Sequence, residues 1–386
     1  MLGRSGRRHT LTVAVTFMCV FTLIGCRLGS KGKTSVNFGA VLCLTGDVSS
    51  WGDDSSKGIA LALDMANRSS NKYEFQVAFE DSKGNSAQAV AALKKVVSIN
   101  GVVAVIGDNI SGPTIAMIPT LNAAKTTMIS PSASSPKLSG MSRYFFRVYP
   151  SDSAEGAFMA GTAVSRLHLR RVAILFINND FGAGLRDVFT TTFTHEGGVI
   201  PLTMGYNENE TDFRPFLTRV KAVHPDGVYL AGYYQDGGSI MKQARELGLS
   251  VQFLGSTTDE DPRLLQIAGN SAEGFLYPFS TGYDATSSDP AVVKFKQAYT
   301  AKFGKDPGLV TALAYDCTNL LIAAVETSGP DREAIRNYLA NVKDYDGATG
   351  QMSFDANGDV HKVVRLKTVR NGQFVFTGES DTLGSR

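Results

Sequence analysis

Residues 102–114 read VVAVIGDNISGPT: a run of β-branched and apolar residues, then a polar turn, then Ser111-Gly112-Pro113 opening an apolar segment. A buried strand of a parallel sheet has this unbroken apolar character, and a proline just inside a helix is tolerated because the N–H it lacks would have no partner anyway. The same unit recurs in both directions. Upstream, residues 36–44 (VNFGAVLCL) end at Thr45-Gly46-Asp47. Ile59, Ala62, Leu63 and Ala66 then space the apolar face of a helix over 55–67. Strands at 74–80, 126–130 and 144–148 and a helix over 86–99 complete one series. A second runs through a helix over 153–168, the strand RVAILFI (171–177), a helix from 181, a strand around Val199, a helix from 211, a strand over 227–231, a helix from 235 and a strand over 251–254. Helices over 290–303, 310–328 and 330–342 and a hairpin at 363–369 and 373–377 close the chain. Strands alternating with helices imply parallel sheets covered on both faces, and 386 residues are enough for two such lobes.

The chain begins differently. Residues 1–9 are basic and 10–24 apolar, as in a secretory signal, and 23–26 (LIGC) have the form of a bacterial lipobox whose Cys26 is diacylated. The apolar run is too short for a membrane helix, and the sequence offers no later candidate. Residues 27–35 (RLGSKGKTS) read as a flexible tether. The expected layout is a signal peptide over 1–25, a lipidated tether over 26–35, one lobe from 36–150 and 278–359, and a second from 151–277 and 360–386. The protein is therefore expected outside the cytoplasm, lipid-anchored to the cell membrane.

Composition narrows the function. The first 25 residues carry Arg4, Arg7 and Arg8 and no acid, which leaves 35 basic residues (38 less 3) against 36 acidic ones. That balance argues against nucleic acid as a partner. The Walker, G-x-G-x-x-G, G-x-S-x-G and H-E-x-x-H patterns all fail, and His168, His195, His224 and His361 stand apart in sequence, so neither an enzyme nor a cofactor is expected. Cys43 and Cys317 lie in apolar segments and read as buried thiols.

The informative loops follow the strands, where open α/β sheets bind ligands. Ser111 suits a helix N-cap whose free N–H groups, hydroxyl and dipole would receive a carboxylate; taken alone it would serve equally as a plain cap. The next strand ends in PSASSP (131–136), with three hydroxyls in a loop stiffened by two prolines. Two such loops at neighbouring strand ends can converge on one small anion.

Segments 39–67 (GAVLCLTGDVSSWGDDSSKGIALALDMAN), 105–114 (VIGDNISGPT), 129–139 (ISPSASSPKLS), 232–249 (GYYQDGGSIMKQARELGL), 270–274 (NSAEG) and 354–359 (FDANGD) together resemble the leucine/isoleucine/valine-binding protein family, the type I periplasmic binding proteins of ABC import systems. The resemblance runs from about residue 36 to the end. It implies two doubly wound, Rossmann-like lobes joined by three hinge strands, crossing near Pro150, Pro278 and Val360, with a small polar ligand, an amino acid first among them, held between the lobes. It also implies a monomeric partner of ABC permease subunits; a ligand-sensing lipoprotein of the same fold is the alternative.

By that resemblance Ser111 and Ser134 hold the ligand carboxylate, and the Ser132 carbonyl takes the ammonium. Trp51 and Phe181 stand where the family has tyrosines at the pocket mouth, and Tyr233 matches an aromatic of the second lobe. The position matching the family's acidic partner of the ammonium is Thr257. Asp259, two residues on, is the alternative acid; without it no counter-charge exists and the ligand is not an α-amino acid.

Overall fold

The computed structural model describes residues 32–98, 102–284 and 286–378. The signal peptide, Cys26 and most of the tether lie outside these residues. The first sheet is built from β1 (Thr34–Leu42), β2 (Tyr73–Asp81), β3 (Val102–Gly107), β4 (Thr127–Ser130) and β5 (Phe145–Arg147), connected through α1 (Ser49–Ser69), α2 (Ser86–Ser98) and α3 (Ser111–Ala124). Its order is β2-β1-β3-β4-β5, parallel throughout. The second lobe follows with α4 (Asp152–Ser165), β6 (Val172–Ile177), α5 (Asp180–His195), β7 (Thr203–Tyr206), α6 (Arg214–Ala222), β8 (Gly227–Ala231), α7 (Tyr234–Glu246), β9 (Gln252–Leu254), α8 (Pro262–Ala268) and β10 (Leu276–Phe279). The chain then returns to the first lobe for α9 (Pro290–Phe303), α10 (Leu309–Ser328), α11 (Arg332–Ala340) and the small ribbon β11 (Tyr345–Gly347) and β12 (Gly350–Met352). It ends as β13 (Arg365–Arg370) and β14 (Gln373–Phe376), two antiparallel strands on the edge of a seven-stranded sheet ordered β14-β13-β10-β9-β8-β6-β7.

Several expectations shift. The strand begins at Thr34, inside the expected tether, and the strand expected around Val199 is β7, with Val199 itself making only an isolated bridge to Arg171. Pro278 lies within β10, and Val360 bridges to Phe354 in the first lobe's core, so the second and third crossings fall a few residues later than expected. Cys43 and Cys317 are free and buried, as read. Helix α10 is long and apolar enough to cross a membrane, contrary to the sequence reading, but it is mostly buried and its side chains pack in the first lobe's core.

Close packing explains two glycines. A Cβ on Gly52 would come 2.2 Å from the Cys43 carbonyl oxygen, and one on Gly58 2.3 Å from the Thr311 carbonyl oxygen. These approaches seat the first turn of α1 against the end of β1 and press its middle against α10. Trp51 is therefore carried on α1, which begins at Ser49 rather than at the expected residue 55.

Candidate functional site

Both sheets reverse their strand order once, between β1 and β3 in the first and between β6 and β8 in the second. Ligand crevices form at such switch points because the loops leaving adjacent strands diverge there. The two crevices face each other, and the cavity between them is lined by Trp51, Ser111, Ser132, Ser134, Phe181, Tyr233 and Thr257, all from segments that follow strand ends. Its water-accessible volume is about 120 Å³.

On the first-lobe wall, Ser111 is the first residue of α3, not its cap. Its Oγ accepts from the N–H groups of Ser134 (3.3 Å) and Ser135 (3.1 Å), drawing the second hydroxyl loop onto the helix start. No described residue accepts the Ser111 hydroxyl hydrogen. The first main-chain helix bond of α3 is Thr114 N–H to Ile110 O (3.1 Å), so the N–H groups of Ser111 and Gly112 precede the ladder and point the helix's positive end at the cleft. Ser134 Oγ donates to Asp152 Oδ2 at 3.0 Å, and Ser132 Oγ donates to the Asn109 carbonyl at 3.1 Å.

Arg147, fully buried at the end of β5, holds this wall in place. Its Nε donates to Asp359 Oδ1 (2.6 Å), one Nη to the Ser135 carbonyl (3.0 Å) and the other to Ser139 Oγ (2.8 Å). Sequence reading missed this residue because its acidic partner lies 212 positions away.

The aromatic groups close the mouth. Trp51 meets Tyr233 edge to face with centroids 5.2 Å apart, and Tyr233 stacks on Phe181 at 5.3 Å. Further contacts bridge the lobes: Lys137 Nζ to Asp180 Oδ1 (2.7 Å), Gln235 Nε2 to the Asp47 carbonyl (2.8 Å) and Ser135 Oγ to the Asp180 carbonyl (3.1 Å). The conformation is closed.

Asp259 is the predicted residue that the cavity leaves out. Its carboxylate accepts from the Ser256 N–H at 3.0 Å, and a Cβ on Gly255 or Gly237 would fall 2.4 or 2.6 Å from its oxygens. Glycines at both positions make room for it to turn inward beneath the Thr257 turn. Burial pushes its pKa up to about 8.

Carboxylates the sequence did not single out stand in the lining instead: Asp54, Asp152, Glu155, Glu260 and Asp261. Glu260 bonds to Lys367 and Tyr277, and Asp261 caps α8 through the Arg263 N–H (2.9 Å) and pairs with the Arg263 guanidinium. Asp152 and Glu155, in the first turn of α4, are buried, and desolvation raises both of their pKa values. Tyr149 donates to Glu155 Oε1, which also lies 2.7 Å from Thr257 Oγ1. No lysine, arginine or histidine is among the lining residues described. Apolar contributions come from Ile110, Pro262, Leu309, Val310 and Leu313. The last three open α10, whose apolar sequence reads as a core helix and gives no sign that one end reaches a site.

The sequence model of the periplasmic binding proteins matches residues 35–373. The chain belongs to that family. A Pseudomonas aeruginosa protein named as binding leucine, isoleucine, valine, threonine and alanine is 25% identical over 321 residues, covering 82% of this chain and 85% of its own. Among solved structures, a Thermotoga maritima leucine-binding protein superposes with a TM-score of 0.83 at 29% identity, covering 89% of this chain and 98% of that one. A Streptococcus pneumoniae branched-chain amino acid transporter substrate-binding protein in complex with isoleucine gives 0.81 at 27% identity, covering 88% and 98%. This family member is thus a substrate-binding protein of the type I fold, and its family places it outside the cytoplasm.

Proposed function

We propose that the protein captures an aliphatic α-amino acid in the interlobe cavity and delivers it to the permease of an ABC importer. The observation that carries this is the cavity's composition. At one end it offers a helix N-terminus with a Ser111 hydroxyl whose hydrogen no described residue accepts, suited to a carboxylate. Apolar walls stand opposite, and while Lys367 and Arg263 neutralise Glu260 and Asp261, Asp152 and Glu155 line the cavity without an ion pair to a described residue, which favours a ligand bearing positive charge. The names of the relatives point the same way. Trp51, Phe181 and Tyr233 then enclose the side chain, Ser111 receives the carboxylate, Ser134 joins it when its hydroxyl turns from Asp152 to the ligand, and Ser132 offers its carbonyl to the ammonium. The work is binding without a covalent step: the ligand touches both lobes only when they are together and so shifts the population towards the closed form. Cys26 carries the lipid that keeps a monomeric protein beside its permease.

Calorimetry with leucine, isoleucine, valine and alanine tests the reading. Saturable binding of at least one, with the ligand recovered unchanged, is expected. Ser111→Ala should weaken it by about ten- to a hundredfold through loss of a hydrogen bond to a charged group. Failure of all four to bind would overturn the assignment.

A further inference from the structure

We propose that Glu155, on the first turn of α4, supplies the negative charge that receives the ligand's ammonium, in place of an acid at position 257. This rests on the amino-acid reading above and names the residue that sets its specificity.

The argument is one of elimination and position. Among the lining carboxylates, Glu260 and Asp261 are neutralised by Lys367 and Arg263. Asp54 sits on the partly exposed side of α1, within the field of Lys305 and Lys57. Asp152 accepts the Ser134 hydroxyl beside the helix start that suits a carboxylate. Asp152 and Glu155 are each 1% exposed, line the cavity and form no ion pair with a described residue, and with Asp152 committed to the Ser134 hydroxyl at the carboxylate end, Glu155 is the one left to face a cation. It stands against the threonine that occupies the expected acid position: Oε1 is 2.7 Å from Thr257 Oγ1, and Oε2 is 3.3 Å from the Thr257 N–H. A carboxylate arriving from α4 thus reaches nearly the same place as one carried by residue 257 would.

The partners of Glu155 fit a group whose charge waits for a ligand. Thr257 Oγ1 lies 2.7 Å from both Glu155 Oε1 and the Pro278 carbonyl, yet a hydroxyl has one hydrogen to give. If that hydrogen goes to Pro278, the contact with Glu155 requires a proton on the carboxyl. With that assignment the neutral acid fits its neighbours. An ammonium at hydrogen-bond distance favours the ionised form, and the proton leaves to water as the cation arrives. An uncharged or anionic ligand provides no such exchange, which is how one residue can select for the amine.

The test uses matched ligands: leucine, isoleucine and valine, each against the 2-hydroxy acid that replaces the amine by a hydroxyl. The wild type should prefer the amino acid, and Glu155→Gln should reduce that preference ten- to a hundredfold, mostly by weakening the amino acid. Asp259→Asn should leave the preference in place. Because Glu155→Gln also alters packing around Tyr149, a second variant guards the conclusion: Glu155→Gln combined with Thr257→Glu, which returns the acid across the 2.7 Å contact, should restore the preference. Persistence of the preference in Glu155→Gln, its loss in Asp259→Asn, or a wild type that binds both members of a pair equally would overturn the role of Glu155 while leaving substrate binding intact. A wild type that binds none of the six compounds would instead overturn the amino-acid reading beneath it.

Discussion

Replacing Trp51 by leucine should weaken ligand binding without unfolding either lobe. The indole sits in the first lobe and meets Tyr233 at 5.2 Å and Tyr234 at 6.1 Å, both in the second, so those ring contacts separate when the lobes part. Each aromatic pair contributes about 0.5 to 1.5 kcal/mol beyond the area it buries, and leucine keeps much of that area. Losing two pairs removes roughly 1 to 3 kcal/mol from the closed form alone, an affinity loss of about 5- to 150-fold. Calorimetry with leucine measures it, and a double-mutant cycle with Tyr233→Leu isolates the pair, with an expected coupling of about 1 kcal/mol. Trp51 is the sole tryptophan, so wild-type emission should respond to ligand and offers an independent check on closure. A coupling below about 0.3 kcal/mol, within the scatter of non-interacting sites, would refute the claim that this pair holds the closed form.

Arg147→Leu should destabilise the fold by about 3 to 5 kcal/mol, because it leaves the buried Asp359 carboxylate unpaired and frees the loop that carries Ser132 and Ser134; denaturant unfolding that matches wild type would reject that role. Burial lifts Asp259 to about 8, so between pH ~4 and 8 the folded state keeps a proton that the unfolded chain has released, and stability declines as pH rises through that window. Asp259→Asn, which can still accept from the Ser256 N–H, should show a shallower fall in Tm from pH 5 to 8; parallel curves would count against a neutral Asp259. Cys26→Ala should leave the protein exported but soluble, and recovery of this variant in the membrane fraction would sink the lipid anchor.

Much of this protein was written locally. The apolar runs at 102–106 and 171–177 and the helical spacing after residue 55 specify strand and helix through contacts a few residues apart, and their alternation dictates parallel, doubly covered sheets. Because ligands gather at strand ends, the hydroxyls of Ser111, Ser132 and Ser134 could be picked out before any fold was known. The short β10 was not legible: four residues with a proline at 278 carry too little pattern, and only pairing with β9 and β13 makes them a strand. The acids were decided by tertiary structure. Asp259 looked suitable by proximity in sequence, but the turn at 257–259 and the glycines at 237 and 255 let it fold inward. Glu155 carried no signal in the sequence, and only the fold brings it beside Thr257, 102 residues on. Periodicity reports which face of an element is buried, while the partner of a buried charge is set by where distant segments meet, and that is fixed only when both lobes have formed and closed.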